Sequence, residues 1–372
     1  MCCKQSHGFA SWPTLRVLWL FTGGGPALLS TGMTDQNVTE TEQQPAATML
    51  ELLGGFVVSQ AVFAVAELGA ANVLLDGPRT VHDIAAAVGA DADPLRRIIR
   101  LLAQHGVFRT SGDIVELTDL GRTLADGPTD SVRKVACYFR RTHYAAFGSL
   151  LEAVRTGQPA ATLFLGRPFF EWINDDPELA ELQNETMRGF TQNARGDLLD
   201  RYDLPGGATV ADIGGADGTL LVELLARRPG RKGIVYDLPN SVAAARRTVQ
   251  AARLDDRVAI FAGDFFESVP AADVYVLSAV LQDWNDSSSL RILNNIAEAA
   301  RADARLVVID MVVPDGDAQD RATMVEILML GMVGGRQRSL SEWRHLLARG
   351  GFALERVVTG SGSYCALEAK VA

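Results

Sequence analysis

Cysteine, histidine and positive charge are all in short supply in this chain. The four cysteines, Cys2, Cys3, Cys137 and Cys365, are scattered with neither a metal-ligand spacing nor a paired framework. That pattern excludes a disulfide-stapled fold and fits reduced thiols in the cytoplasm. Of the five histidines, none forms a metal-ligand pair. A formal net charge of -10 removes the general electrostatic attraction to phosphate backbones and anionic lipid, so neither nucleic acid nor a membrane is an expected partner. The opening stretch does not read as a spanning segment. Leu15 to Leu29 is apolar but carries Arg16, breaks at Gly23-Gly24-Gly25-Pro26 and is too short for a bilayer. Its weakly basic lead and the lack of a clean small-x-small site disfavour a signal peptide. Met33 is a candidate start, and Thr34 to Gln44 is polar and acidic. Residues 1–46 therefore read as a disordered or non-native extension.

What is present is apolar and long enough for two domains: 372 residues, 48% hydrophobic and 22% charged. From Thr48, apolar residues from Met49 to Ala64 recur at helical spacing and cover nearly the whole helix, which calls for a cover beyond one small domain. Thr80 and Asp83 open a short helix that Gly89 ends, and Asp93-Pro94 opens a second that runs to Gly106. Two strands follow, Val107 to Thr110 and Ile114 to Leu117. Helix, helix and hairpin make a winged helix over residues 47–127. Arg96, Arg97 and Arg100 lie on its second helix, but with acids nearby they read as a solvated face, and a dimerisation scaffold is preferred to DNA binding.

Residues 128–205 read as helical and rich in aromatics and methionine. Tyr138, His143, Phe147, Phe169, Met187 and Phe190 suit either core or the walls of an apolar pocket, with His143, Phe147, Met187 and Phe190 the candidate substrate contacts.

From residue 206 to 372 strands and helices alternate: Thr209 to Gly214, Gly233 to Leu238, Val258 to Asp264, Val274 to Leu281 and Arg305 to Val313 are strands, with helices between them. This is an α/β, doubly wound Rossmann-like domain, whose ligands belong at the strand carboxyl ends. The first strand ends Asp212-Ile213-Gly214-Gly215-Ala216-Asp217-Gly218. The frame from Gly214 puts Ala216 and Thr219 where a nicotinamide site wants glycines. Asp212 suits a cationic or amino-bearing ligand better than a pyrophosphate. Asp237, closing the second strand, can take both hydroxyls of a ribose. Asp264 and Phe265, closing the third, offer a carboxylate for an exocyclic amine and a ring for a base. Together these ends describe a nucleoside without phosphates.

Asp212 to Gly218, Tyr236-Asp237-Leu238-Pro239, Gly263 to Phe266 and Leu281 to Trp284, in this order, make residues 48 to 370 similar to the S-adenosylmethionine-dependent O-methyltransferases of the plant caffeate and bacterial polyketide type. The resemblance implies a class I methyltransferase fold with an N-terminal, mostly helical winged-helix dimerisation domain. It also implies a homodimer, S-adenosyl-L-methionine as cofactor and an apolar, hydroxylated small-molecule substrate. Gly214 and Gly215 would border the methionine part, Asp237 the ribose, and Asp264 with Phe265 the adenine. Asp212, Asp217 and Leu238 would be neighbouring contacts. Ser278 stands where many relatives carry a basic residue.

One departure matters more than the matches. The family pattern Leu-His-Asp-Trp, with histidine as base, is here Leu281-Gln282-Asp283-Trp284. The carboxylate that orients the histidine corresponds to Asp310, and a second family glutamate to Gln337. A carboxamide is no general base near neutral pH. Three explanations stay open. Positioning of an acidic phenol or enol alone drives transfer, with Gln282 orienting the oxygen. Another residue is the base, with His143 the foremost candidate. Or the chain does non-methylating chemistry, such as hydroxylation or decarboxylation, or none. Trp284 reads equally as pocket wall or core, and Asp286 as the cap of the next helix.

Overall fold

The computed structural model describes residues 45–128, 130–239, 241–314, 316 and 320–372. The expected disordered lead-in, with Met33, Cys2, Cys3 and the apolar stretch from Leu15, lies outside the described residues. Its last two positions are an exception, since Pro45 and Ala46 already belong to a helix.

That helix, Pro45–Leu68, buries only Ala61, Val65 and Ala66 deeply. Met49, Leu52, Leu53, Phe56 and Val57 stay exposed, Leu52 at 71%. It is long and apolar enough to cross a membrane by length and composition, yet its second half packs into the winged-helix core. Two helices follow, Val81–Val88 and Ala92–Gln104. Thr80 caps the first by accepting from the Asp83 N–H at 3.1 Å, and Gly89 closes it at φ 66°. Asp91, not Asp93, caps the second. The wing holds one strand more than the sequence indicates: β1 (Arg79–Thr80) pairs β3 (Ile114–Leu117), which pairs β2 (Phe108–Ser111). Arg96 is held by Asp113, and Arg97 lies 2.5 Å from Asp93.

The aromatic segment forms a run of helices, Arg133–Ala146 and Pro177–Arg195 being the longest. Arg133–Ala146 is shared between two cores. Ala136 and Cys137 join the winged-helix cluster, whereas Tyr138 and Ala146 join a separate one with Phe169, Ile173 and Met332.

The remaining strands are β4 (Thr209–Ile213), β5 (Lys232–Asp237), β6 (Val258–Ala262), β7 (Val274–Ser278), β8 (Arg305–Val313), β9 (Arg338–Ser339), β10 (Phe352–Thr359) and β11 (Tyr364–Val371). They build one sheet in the order β10-β11-β8-β7-β4-β5-β6, with β9 pairing the end of β8. From β8 to β6 neighbours are parallel; β11 lies antiparallel between β8 and β10. Helices cover both faces, so the central strands are apolar on both sides. Val307, Ile309 and Met311 of β8 face one core, and Leu306 and Val308 face the other. The chain runs outward from β4 to β6 and then crosses back to β7, so the carboxyl ends of β4 and β7 flank a chain reversal where ligands bind in such sheets.

Candidate active site

The turn after β4 has backbone room for a ligand. Gly214 and Gly218 adopt φ 71° and 74°, and Ala216 is left-handed at 47°. A Cβ on Gly214 would stand 2.8 Å from Val280, and one on Gly215 2.9 Å from Asp212. Both positions need glycine. Asp237 fixes the turn from β5: its Oδ2 accepts the Ala216 N–H at 2.8 Å and its Oδ1 the Leu238 N–H at 2.7 Å. Asp217 accepts from Arg188 Nε at 2.8 Å and so ties the helix Pro177–Arg195 to this turn.

Asp212 is buried beneath the turn, and its Oδ2 has no hydrogen-bond partner among the described residues. Burial pushes its carboxyl up to about 7, with Asp237 and Asp217 adding repulsion that Arg195 partly offsets. Three acids close enough to repel one another, one with an unpartnered oxygen, suit a cation. The sulfonium and ammonium of S-adenosylmethionine fit that chemistry; a pyrophosphate does not.

At the end of β6, Asp264 Oδ1 accepts the Phe266 N–H at 2.8 Å. A Cβ on Gly263 would overlap the Tyr236 hydroxyl, which donates to the Ser268 carbonyl at 2.7 Å. Phe265 lies beside Gly214. Trp284 turns out to pack against Phe265 and Phe266, at 6.1 and 4.7 Å between centroids, so it supports the Phe265 end of the cleft. Ser278 is half-buried at the end of β7.

Past β7 the chain forms a single 3-10 turn, Leu281–Asp283, that presents Gln282. Gln282, Asp310 and Gln337 are brought together as the motifs indicate. Gln337 Nε2 donates to Gln282 Oε1 at 2.6 Å, and Asp310 Oδ1 accepts the Met311 N–H at 2.8 Å. The turn is clamped by the chain around β9. Arg336 N–H donates to the Gln282 carbonyl at 2.8 Å, and Arg338, 1% exposed, donates to the carbonyls of Leu281 and Trp284 at 3.0 Å each and to Asp286 at 2.9 Å. Asp286 is thus a partner for Arg338, and the helix cap is Asn285, which accepts from Ser288 N–H at 3.0 Å.

Two groups near this turn, Tyr364 and Arg338, escape sequence reasoning, and burial shifts the acids beside them. Burial and Asp310 push the Asp283 carboxyl up to about 8. Burial raises Asp310 to about 7 despite the Met311 amide and Arg338. Burial raises the Tyr364 phenol too, with Asp310 and Asp283 adding to the shift. Tyr364 comes from β11, opposite Met311, and only sheet register places it here. Arg338 directly follows Gln337, which the motifs single out, and that adjacency was the available signal.

His143 is buried, with Nδ1 2.7 Å from the Thr142 hydroxyl and its ring against Tyr138, Phe139 and Phe169. Burial lowers it to about 4, which makes it a weak proton acceptor. Phe147 is pressed against Gly331, 2.7 Å from where a Cβ would stand. Phe190 packs on the core beneath β4, and Met187, on the same helix, is 36% exposed.

An O-methyltransferase domain model matches residues 147–353, and an O-methyltransferase dimerisation domain model matches residues 50–127. The chain belongs to the O-methyltransferase family. This methyltransferase is 34% identical over 327 residues to a phenazine O-methyltransferase of Lysobacter antibioticus, covering 87% of this chain and 96% of that one. It is 36% identical over 313 residues to a mitomycin biosynthesis 6-O-methyltransferase of Streptomyces lavendulae, covering 83% and 89%. Among solved structures, an O-methyltransferase from neocarzinostatin biosynthesis, in complex with S-adenosylmethionine and 2-hydroxy-5-methyl naphthoic acid, superposes with a TM-score of 0.77 at 33% identity, covering 84% of this chain and 96% of that one. The cofactor that the family resemblance implies is the one this relative carries.

Proposed function

We propose that this methyltransferase transfers the methyl group of S-adenosyl-L-methionine to a hydroxyl of an apolar aromatic or polyketide-like small molecule, as a homodimer, by holding the reactants in place. The buried Gln337–Gln282 amide pair carries this reading, because it stands where the family's base and its partner would be and neither amide takes a proton near neutral pH. When bound, the cofactor supplies an electrophilic methyl on a positively charged sulfur. The protein's part is orientation, which is worth up to about 7–11 kcal/mol in well-aligned reactions.

Gly214, Gly215 and Asp212 take the methionine end, Asp237 and Leu238 the ribose, and Asp264 and Phe265 the adenine. Asp217 and Ser278 border them. The unpartnered Asp212 oxygen and the glycine-lined turn support this assignment. Tyr138, His143 and Phe147 wall the substrate pocket, with Met187 and Phe190 on the helix that Arg188 ties to the cofactor turn. Relatives are named for a phenazine, for mitomycin biosynthesis and for a dihydroxy-methyl-naphthoate, and phenazine and naphthoate are fused aromatic rings. That agrees with a flat apolar acceptor here. The exposed face of Pro45–Leu68 is the dimer contact.

Calorimetry of S-adenosylmethionine binding to the wild type and to Asp237→Ala tests the cofactor site. Micromolar binding that weakens tenfold or more, about 1.4 kcal/mol, is expected. Mass spectrometry of products from phenolic substrates then tests the reaction: a gain of one methyl is expected, whereas a gain of oxygen or a loss of carbon dioxide overturns it.

A further inference from the structure

A neutral hydroxyl that gains a methyl group must lose its proton, and neither Gln282 nor Gln337 accepts one near neutral pH. The surroundings keep such a hydroxyl neutral until it reacts. Burial raises the Tyr138 and Tyr364 phenols, and the negative charge of Asp283, joined at Tyr364 by Asp310, raises them further. A substrate phenol beside the same acids is held up in the same way. Its proton therefore needs an acceptor in the protein.

Of the titratable groups around the Gln282 turn, Asp283 alone is both open and unengaged. It ends the 3-10 turn Leu281–Asp283, directly after Gln282. It is half-buried, its carboxyl accepts no hydrogen bond among the described residues, and it acts on Tyr138 of the aromatic wall. Asp310 is fully buried: its Oδ1 takes the Met311 N–H and its Oδ2 is sealed inside. Asp286 is engaged by Arg338. His143, lowered to about 4 by burial, has Nδ1 against the Thr142 hydroxyl. We propose that Asp283 is a catalytic residue that takes the proton of the methyl-accepting hydroxyl, standing in for the family's histidine one position earlier. The inference rests on the methyltransferase reading. In the transfer the oxygen–carbon bond forms as the sulfur–carbon bond breaks, and that electron pair stays on sulfur. The hydroxyl proton passes to an Asp283 carboxylate oxygen and later leaves to solvent, so the products are a neutral ether, a neutral thioether and one released proton.

The environment of Asp283 suits the task. Burial and Asp310 hold its carboxyl up to about 8, which makes it a far stronger base than an exposed carboxylate. The charged and titratable groups around it are Asp310 from β8, Tyr138 from Arg133–Ala146, Tyr364 from β11, and Arg336 and Arg338 from the chain around β9, both of which meet Asp286. The ionised form that accepts a proton grows as pH rises through 8, so the rate on a neutral phenol rises with it and then levels off.

The test compares the wild type with Asp283→Asn, which keeps the side chain's shape, on two probes: 2-naphthol, neutral in solution near pH 7, and a nitro-substituted 2-naphthol already ionised there. The variant is expected to lose about a hundredfold or more in kcat on 2-naphthol, the usual span of general-base catalysis, and less than tenfold on the nitro probe, which brings no proton to remove. An equal loss on both probes, the mark of a structural role, or a loss on neither overturns the inference. The second arm needs no turnover. With S-adenosylhomocysteine bound, the absorbance of the nitro probe reports its ionisation, which the wild type should hold above the solution value and Asp283→Asn should return toward it. An ionisation that the substitution leaves unmoved, or no naphthol binding, also overturns the inference. Failure of the wild type to bind S-adenosylhomocysteine would instead sink the underlying methyltransferase reading.

Discussion

Arg338 closes on Asp286 with Nε 3.1 Å and Nη2 2.9 Å from Oδ1, and the same guanidinium holds the carbonyls at both ends of the turn that presents Gln282. Hydrogen bonds from a charged donor contribute about 1.5–3 kcal/mol each, though not additively. Arg338→Met is expected to lower the unfolding free energy by about 3 kcal/mol and to cost turnover. It should leave S-adenosylmethionine affinity within a few-fold of wild type, because the cofactor turn is held by Asp237 instead. Denaturant midpoints and cofactor calorimetry check this.

Gly263→Ala should weaken cofactor binding by tenfold or more, since its Cβ would displace the Tyr236 hydroxyl and with it the turn that carries Asp264 and Phe265. Normal affinity in that variant would mean the turn does not contact the adenine.

Stability should fall as pH rises above about 5. Asp212, Asp283 and Asp310 have folded pKa values of about 7, 8 and 7, above the unfolded value of about 4. Between pH 4 and 8 the folded chain therefore binds more protons than the unfolded one, and unfolding becomes easier as pH rises through that window. Glu67, Asp126 and Asp273 are lowered, although burial opposes the hydrogen bonds and charges that lower them, and their stabilising contribution is lost below about pH 5. The two sets place the optimum near pH 5–6. Thermal unfolding from pH 4 to 9 is the measurement, and Asp283→Asn should flatten the alkaline decline.

Leu52→Glu together with Phe56→Glu should give a folded monomer by sedimentation. Both residues are exposed on the Pro45–Leu68 helix, at 71% and 60%, outside the winged-helix core, so the substitutions act on association and not on folding. A dimer that survives them would place the interface elsewhere.

The strands of the large sheet were legible because buried parallel strands read as continuous apolar runs bounded by turn residues. Arg305–Val313 came out at the observed bounds, and β4, β5 and β6 within a residue or two. The candidate site residues drew notice for a related reason: acids and glycines placed just after strands stand out against apolar sequence. What escaped were features made by tertiary approach. Two-residue strands such as β1 and β9 have no periodicity to detect. Tyr364 reaches the Gln282 turn only through the β8–β11 register. Asp286 carried the right residue type for a cap one position too late, and the buried Arg338 claimed it.

The helix Arg133–Ala146 lies between two constituencies. On one side it joins the core beneath Pro45–Leu68, where Arg141 reaches Glu67 at 2.6 Å and Tyr144 meets Phe63 edge-on. On the other its Tyr138 and His143 belong to the aromatic wall. A partner subunit laid on Pro45–Leu68 would brace that wall from behind, one helix removed from the chemistry. Substrate fit would then depend on protein concentration, and a dilute enzyme would lose selectivity before it lost its cofactor.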